Sequence, residues 1–197
     1  NGVLLAGHIK ITDPESGEVL IDKRNAIHYE NMSIALAESL ANAGQGPIYK
    51  MAFGNGGTSV DPTGIITYLT PNSTGTNASL YNQTFNKVVD DQASNNTDPV
   101  RNKIETRHVS GTNYTDILVS CLLDYGEPSG QDAFDTTTNT ENLYVFDELG
   151  LISAGANGTD GRLLTHVIFH PVQKSLNRLI QIDYTVRVQS LTGFNEV

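Results

Sequence analysis

Leu179-Ile180-Gln181-Ile182-Asp183-Tyr184-Thr185-Val186-Arg187-Val188-Gln189 alternates apolar and polar residues without a break. Successive side chains of a β-strand point to opposite faces, so Ile180, Ile182, Tyr184, Val186 and Val188 share a buried face and the residues between them face solvent. The run upstream, Leu163-Leu164-Thr165-His166-Val167-Ile168-Phe169-His170-Pro171-Val172, reads as a second strand, and Phe146-Asp147-Glu148-Leu149-Gly150-Leu151 as a third.

Working outward, the same signals recur. Residues 7–23 read as a hairpin: Ile9 and Ile11 alternate with Lys10 and Thr12, Asp13-Pro14-Glu15-Ser16-Gly17-Glu18 carries turn chemistry, and Val19-Leu20-Ile21 returns. One helix is expected over about residues 29–43, where Met32, Leu36, Leu40 and Ala43 recur at three- and four-residue spacing and Gly44 follows as a stop. Further strands are expected at Pro47–Phe53, Ile65–Leu69, around Leu80–Val89, at Lys103–Val109 as a charged edge, and at Tyr114–Leu123 with Ile117, Val119, Cys121 and Leu123 inward. Long polar loops span Thr70–Ala78, Asp90–Pro99 and residues 124–141 and are expected to carry subunit contacts. The expected fold is mostly β (α+β): eight to ten strands in β-sandwich-like antiparallel sheets, with one helix packed on them and long loops. It is read as one β-rich domain over residues 1–197, with an N-terminal hairpin-plus-helix unit at 7–44 and a closing strand unit at 142–190.

Composition limits what such a chain can do. The net charge of −10 argues against binding nucleic acid or an anionic membrane, which needs clustered Lys and Arg. No run approaches the ~20 apolar residues of a membrane helix. Cys121 is the single cysteine, so an internal disulfide is impossible, and its place in an apolar strand makes it a small core residue. Asn-x-Ser/Thr triplets at Asn31, Asn72, Asn77, Asn82, Asn95, Asn113 and Asn157 follow from a composition rich in those residues.

Each arrangement that suggests chemistry meets an objection. Gly54-Asn55-Gly56-Gly57-Thr58 is rich in glycine, but no Lys follows and Asp61-Pro62-Thr63-Gly64 replaces the helix that a phosphate loop opens. His166 and His170, with His108 and Asp183 as possible additions, suggest a metal site, yet positions four apart on a strand lie about 13 Å apart. Asp90, Asp91, Asn95, Asn96 and Asp98 offer oxygen ligands without the spacing of a calcium loop. Asp147 and Glu148 are adjacent, so on a strand they face oppositely and cannot flank one glycosidic bond. No Gly-x-Ser-x-Gly elbow occurs. The expectation is therefore no catalytic residue, no cofactor and no metal.

The closing unit resembles a pattern of tailed-bacteriophage virion structural proteins, the small tail, neck and collar components. Glu148-Leu149-Gly150-Leu151, a variable loop, Phe169-His170-Pro171-Val172-Gln173-Lys174 and the alternating run Leu179–Gln189 carry it in that order, and Phe53-Gly54-Asn55-Gly56-Gly57-Thr58 looks like the glycine-rich turn after the first core strand. The resemblance covers about a third of the chain. It implies a non-enzymatic virion subunit, assembled in the bacterial host cytoplasm, whose partners are further copies of itself and other virion proteins. A receptor- or glycan-binding or capsid-decorating β module is the alternative, weakened by the absence of Trp.

Overall fold

The computed structural model describes residues 1–129 and 143–191. In chain order the elements are β1 (Gly2–Thr12), β2 (Val19–Ile27), α1 (Tyr29–Leu40), β3 (Ile48–Gly54), β4 (Thr58–Val60), β5 (Ile66–Tyr68), β6 (Gln83–Val88), β7 (Lys103–His108), β8 (Tyr114–Leu123), β9 (Leu143–Ala154), β10 (Asp160–Leu163), β11 (Thr165–Ser175) and β12 (Ile180–Leu191). Among the described residues there are twelve strands rather than eight to ten. The two additional ones, β4 and β10, are too short to show a period.

The fold is mostly β with one helix, as expected, and its sheets are antiparallel. The main path runs β7-β8-β12-β1-β2-β11-β9-β3-β6, with β10 on β9 and β4-β5 as a separate two-stranded arm. β2 meets β11 through only Thr165↔Ile27 and His166↔Ala26. That short seam joins two larger pairing blocks whose inward residues form one core cluster.

The alternating run behaves as its pattern dictates. Ile180, Ile182, Tyr184 and Val186 are buried, while Val188 is half-buried near the strand end. β1 and β8 flank β12 in register, so Ile9, Tyr184 and Val119 form one inward row and Ile11, Ile182 and Cys121 the next. Each such side chain removed from water is worth about 1.5–3 kcal/mol. From the other block, Phe53, Tyr144, Phe146 and Phe169 meet this wall, with Phe53 edge-on to Phe146 at 5.4 Å.

Two boundaries differ from the periodicity, each for a local reason. The run through Val172 is split at Leu164, and its second part, β11, changes phase. Val167 and Phe169 face the core, and then Val172 and Lys174 do, because the register with β9 shifts between Ile168 and Val172. Pro171 lies in that bulge, where its missing N–H costs no ladder bond. The helix ends at Leu40 rather than Ala43. Asn42 enters the left-handed region at φ 51°, and the last turn projects past the core, leaving Leu40 88% exposed. The buried face is Asn31, Met32 and Ala35. Its N-terminus is capped by His28, whose Nδ1 accepts the Asn31 N–H at 3.1 Å.

The first hairpin turns where expected. Asp13 Oδ1 accepts the N–H groups of Glu15 and Ser16, and Gly17 takes φ 77°. Burial of Asn31 on the inner face of α1 leaves no room for a glycan there.

Candidate functional site

Two kinds of place could carry a function: the residues whose chemistry stands out in sequence, and the surfaces the described fold leaves uncovered. The first kind gathers around β9. Glu148 is fully buried and accepts four hydrogen bonds: Asn82 N–H at 2.8 Å, Tyr81 N–H at 2.9 Å, Gly56 N–H at 3.1 Å and His166 Nε2 at 2.9 Å. His166 Nδ1 accepts the Asn72 N–H at 2.7 Å, so in the neutral ring Nε2 carries the proton and donates to Glu148. Burial pushes the Glu148 carboxyl upward, but His166 and the backbone donors of Asn82, Tyr81 and Gly56 outweigh it and leave the group below its ordinary value. On the opposite face, Asp147 accepts the N–H groups of Gly57 and Thr58, each at 2.9 Å.

This geometry accounts for the glycine-rich turn. Gly56 and Gly57 direct their N–H groups at carboxylates of the same chain, in the place a bound phosphate would occupy. A Cβ on Gly54 would sit 2.4 Å from Asn82 O and 2.5 Å from Glu148 Oε1. Asp147 and Glu148 do face oppositely, and both are buried. They fasten loops.

The other sequence candidates are dispersed. His166 is enclosed beside Glu148, whereas His170 is exposed and meets Tyr68 Oη at 3.3 Å. His108 lies on the edge strand β7 against Tyr114 O and Thr115, and Asp183 faces outward on β12. In the 90–98 loop, Asn95 donates to Tyr49, Asn96 to the carbonyls of Asp90 and Asn102, and Asp98 pairs with Arg101. Among the described residues, no three His, Cys, Asp or Glu side chains gather as metal ligands. Burial pushes the Cys121 thiol up to about 12, which keeps it protonated and unreactive at neutral pH.

Several anchors had no sequence signal. Lys174 is fully buried, and its Nζ donates to the carbonyls of Asp124 (2.9 Å), Glu127 (2.6 Å) and Ser175 (2.9 Å). Burial lowers its pKa to about 8. His28 Nε2 meets Gly75 O at 2.8 Å, and Asn31 Nδ2 reaches Leu163 O at 2.9 Å. The loops expected to order against neighbouring subunits are thus fastened by their own chain over 70–78 and 90–99. In the third, residues 130–141 lie outside the described residues.

The uncovered surfaces are of a different kind. β1 pairs with β12 along its whole length but with β2 only from Gly7 onward. Among the described residues, Gly2–Ala6 therefore presents one open backbone edge, with Val3 62% and Leu4 47% exposed. Val3-Leu4-Leu5-Ala6 is apolar on both faces, a composition that strands adopt when covered on both sides. A hollow of about 260 Å³ adjoins this edge, lined in part by Leu5, Ala6, Asn25 and the exposed Tyr29. The β4-β5 arm and its flanks leave Val60, Ile65, Tyr68 and Leu69 exposed. No helix among the described residues is long and apolar enough to cross a membrane.

No protein-family model, no curated protein and no solved structure matches the chain.

Proposed function

We propose that the protein is a non-enzymatic structural subunit of a tailed-phage particle that associates with copies of itself and other virion proteins in the tail, neck or collar. The observation that carries the reading is the open, two-sidedly apolar edge Gly2–Ala6 beside its hollow. Unpaired strand edges are templates for another strand, and soluble monomers normally blunt them with charge or cover. The opposite treatment is seen at β7, an edge carrying Lys103, Glu105, Arg107 and His108. The ordered resemblance of the closing unit supports the narrower placement in a virion. The fates of Asp147, Glu148, His166 and Cys121 support a role without catalysis, since each is buried and, apart from the inert thiol, tied to a loop.

Light scattering of the purified chain across concentration tests the reading, together with hydrogen exchange at β1. A discrete oligomer with protection of the Gly2–Ala6 amides is expected. A monomer at every concentration, alone or mixed with particle proteins, would overturn it.

A further inference from the structure

A cavity of about 430 Å³ lies between α1, the 90–92 segment and strands β7 and β8. Its wall explains a discrepancy in the core. Leu36 and Ile117 are positions that sequence periodicity turns inward, and Ile104 of the edge strand β7 packs against the same core, yet all three are only half-buried, and all three border this cavity together with Ile48. Apolar residues of α1, β3, β7 and β8 therefore converge on a volume that the described residues leave unfilled. The size is that of a pocket for a small organic ligand.

Ser39 and Thr106 add neutral polar groups to the lining, but its charged residues are all of one sign. Asp90 and Asp91 stand there with Gln92, and the lining contains no Lys, Arg or His. Asp90 Oδ1 accepts the Gln92 N–H, and Asp91 accepts the Ile104 N–H and the Gln92 side-chain amide. Among the described residues neither carboxylate has a cation within ion-pair distance. Two carboxylates thus border an apolar volume with no cation paired to them among the described residues.

We infer that this cavity binds a small amphipathic cation, its apolar body packed against Leu36, Ile48, Ile104 and Ile117 and its ammonium or guanidinium end set against Asp90 and Asp91. An amphipathic anion of the same length meets the same walls but the wrong charge. The inference does not rest on self-association and holds equally for a monomer.

Octylammonium, octanoate and octanol serve as probes, titrated calorimetrically and followed by methyl NMR of Leu36, Ile104 and Ile117. Octylammonium is expected to bind, to shift those methyls, and to exceed octanoate by roughly tenfold or more, the scale of one charge-assisted contact. D90N combined with D91N should bring octylammonium down to the level of octanol. I104W, which fills the volume, should abolish binding while circular dichroism reports an intact fold. Equal binding of octylammonium and octanoate, undiminished binding by I104W, methyl shifts elsewhere in the molecule, or no binding by wild type would each overturn the assignment.

Discussion

The Glu148 node and the Asp90–Asp91 rim both present carboxylates beside apolar residues, and they are finished differently. At Glu148 four donors converge on one buried group, and each oxygen is accounted for by a loop that needs holding. At the rim the donors are few, no counter-charge lies within ion-pair distance among the described residues, and the neighbouring apolar side chains are half-buried. Glycine-rich and acidic composition alone does not separate the two. What separates them is whether the chain supplies the complement. A group whose complement is internal stabilises the fold; one whose complement is absent is available to something else.

Substitutions that break the finished region should cost most. Tyr184→Asp places a charge in the centre of the inward face of β12, at a cost of several kcal/mol against a typical total of about 5–15 kcal/mol. Loss of soluble folded protein is expected by circular dichroism, and a soluble variant with unchanged melting temperature would contradict the inward face assigned here. Glu148→Ala leaves three backbone N–H groups and the His166 Nε2–H without their acceptor. A loss of about 3–5 kcal/mol is expected in urea unfolding, on the scale of breaking a buried pair.

The same residue has a pH signature. Its folded pKa lies below the ordinary 4.5, so the unfolded chain binds the proton first as pH falls. The contribution of Glu148 is therefore complete above about pH 4.5 and is lost as pH drops below that value toward the folded pKa. The stability gap between wild type and Glu148→Gln should narrow through that window. A gap that stays constant down to pH 3 would show that the carboxylate charge is not what fastens the loops.

A smaller effect is expected at Gly150. A Cβ there would meet Thr165 O and Leu163 Cδ1, each at 2.6 Å, so Gly150→Ala should cost about 1–3 kcal/mol through overpacking. The Glu-hydrophobic-Gly-Leu motif then has a physical reading: its Glu holds the 81–82 segment and its Gly admits β10 and β11. The smallest change in stability belongs to the open edge. Leu4→Lys alters an exposed side chain and should shift unfolding by less than about 0.5 kcal/mol, while weakening association in light scattering. A large loss of stability there would mean that the edge belongs to the monomer's core.

Sequence made the strands legible wherever one face is buried and the other wet. β12, the first hairpin and β8 follow their alternation, and the Asp13–Gly17 turn follows its residue chemistry. The start of α1 at Tyr29 was legible from its apolar spacing, although a histidine caps it in place of the usual Ser, Thr, Asp or Asn. The phase change in β11 was hidden because a bulge reverses every side chain beyond it, and Pro171 alone does not say where. The loop anchors were illegible for another reason: Lys174 and Asp124, or His166 and Asn72, are far apart in sequence and complementary only after folding. The cavity needs three elements in place before it exists. The Gly2–Ala6 edge did leave a signal, four apolar residues in succession ahead of the alternating part of β1, although the hairpin reading began at Gly7.

The pairing of β1 with β12 also sets a schedule. Synthesis delivers β1 early and the strand that aligns it along its full length late, and a contact this remote is slow to form because the intervening chain must first be ordered. The edge Gly2–Ala6 is thus held straight only once β12 has docked. Under the proposed self-association, nascent chains crowded on one message would be spared premature joining, because the edge is straightened only after β12 docks. Chains halted before Ile180 should accordingly show no protected Gly2–Ala6 amides in pulse-labelled hydrogen exchange, and protection of those amides in such chains would remove the delay.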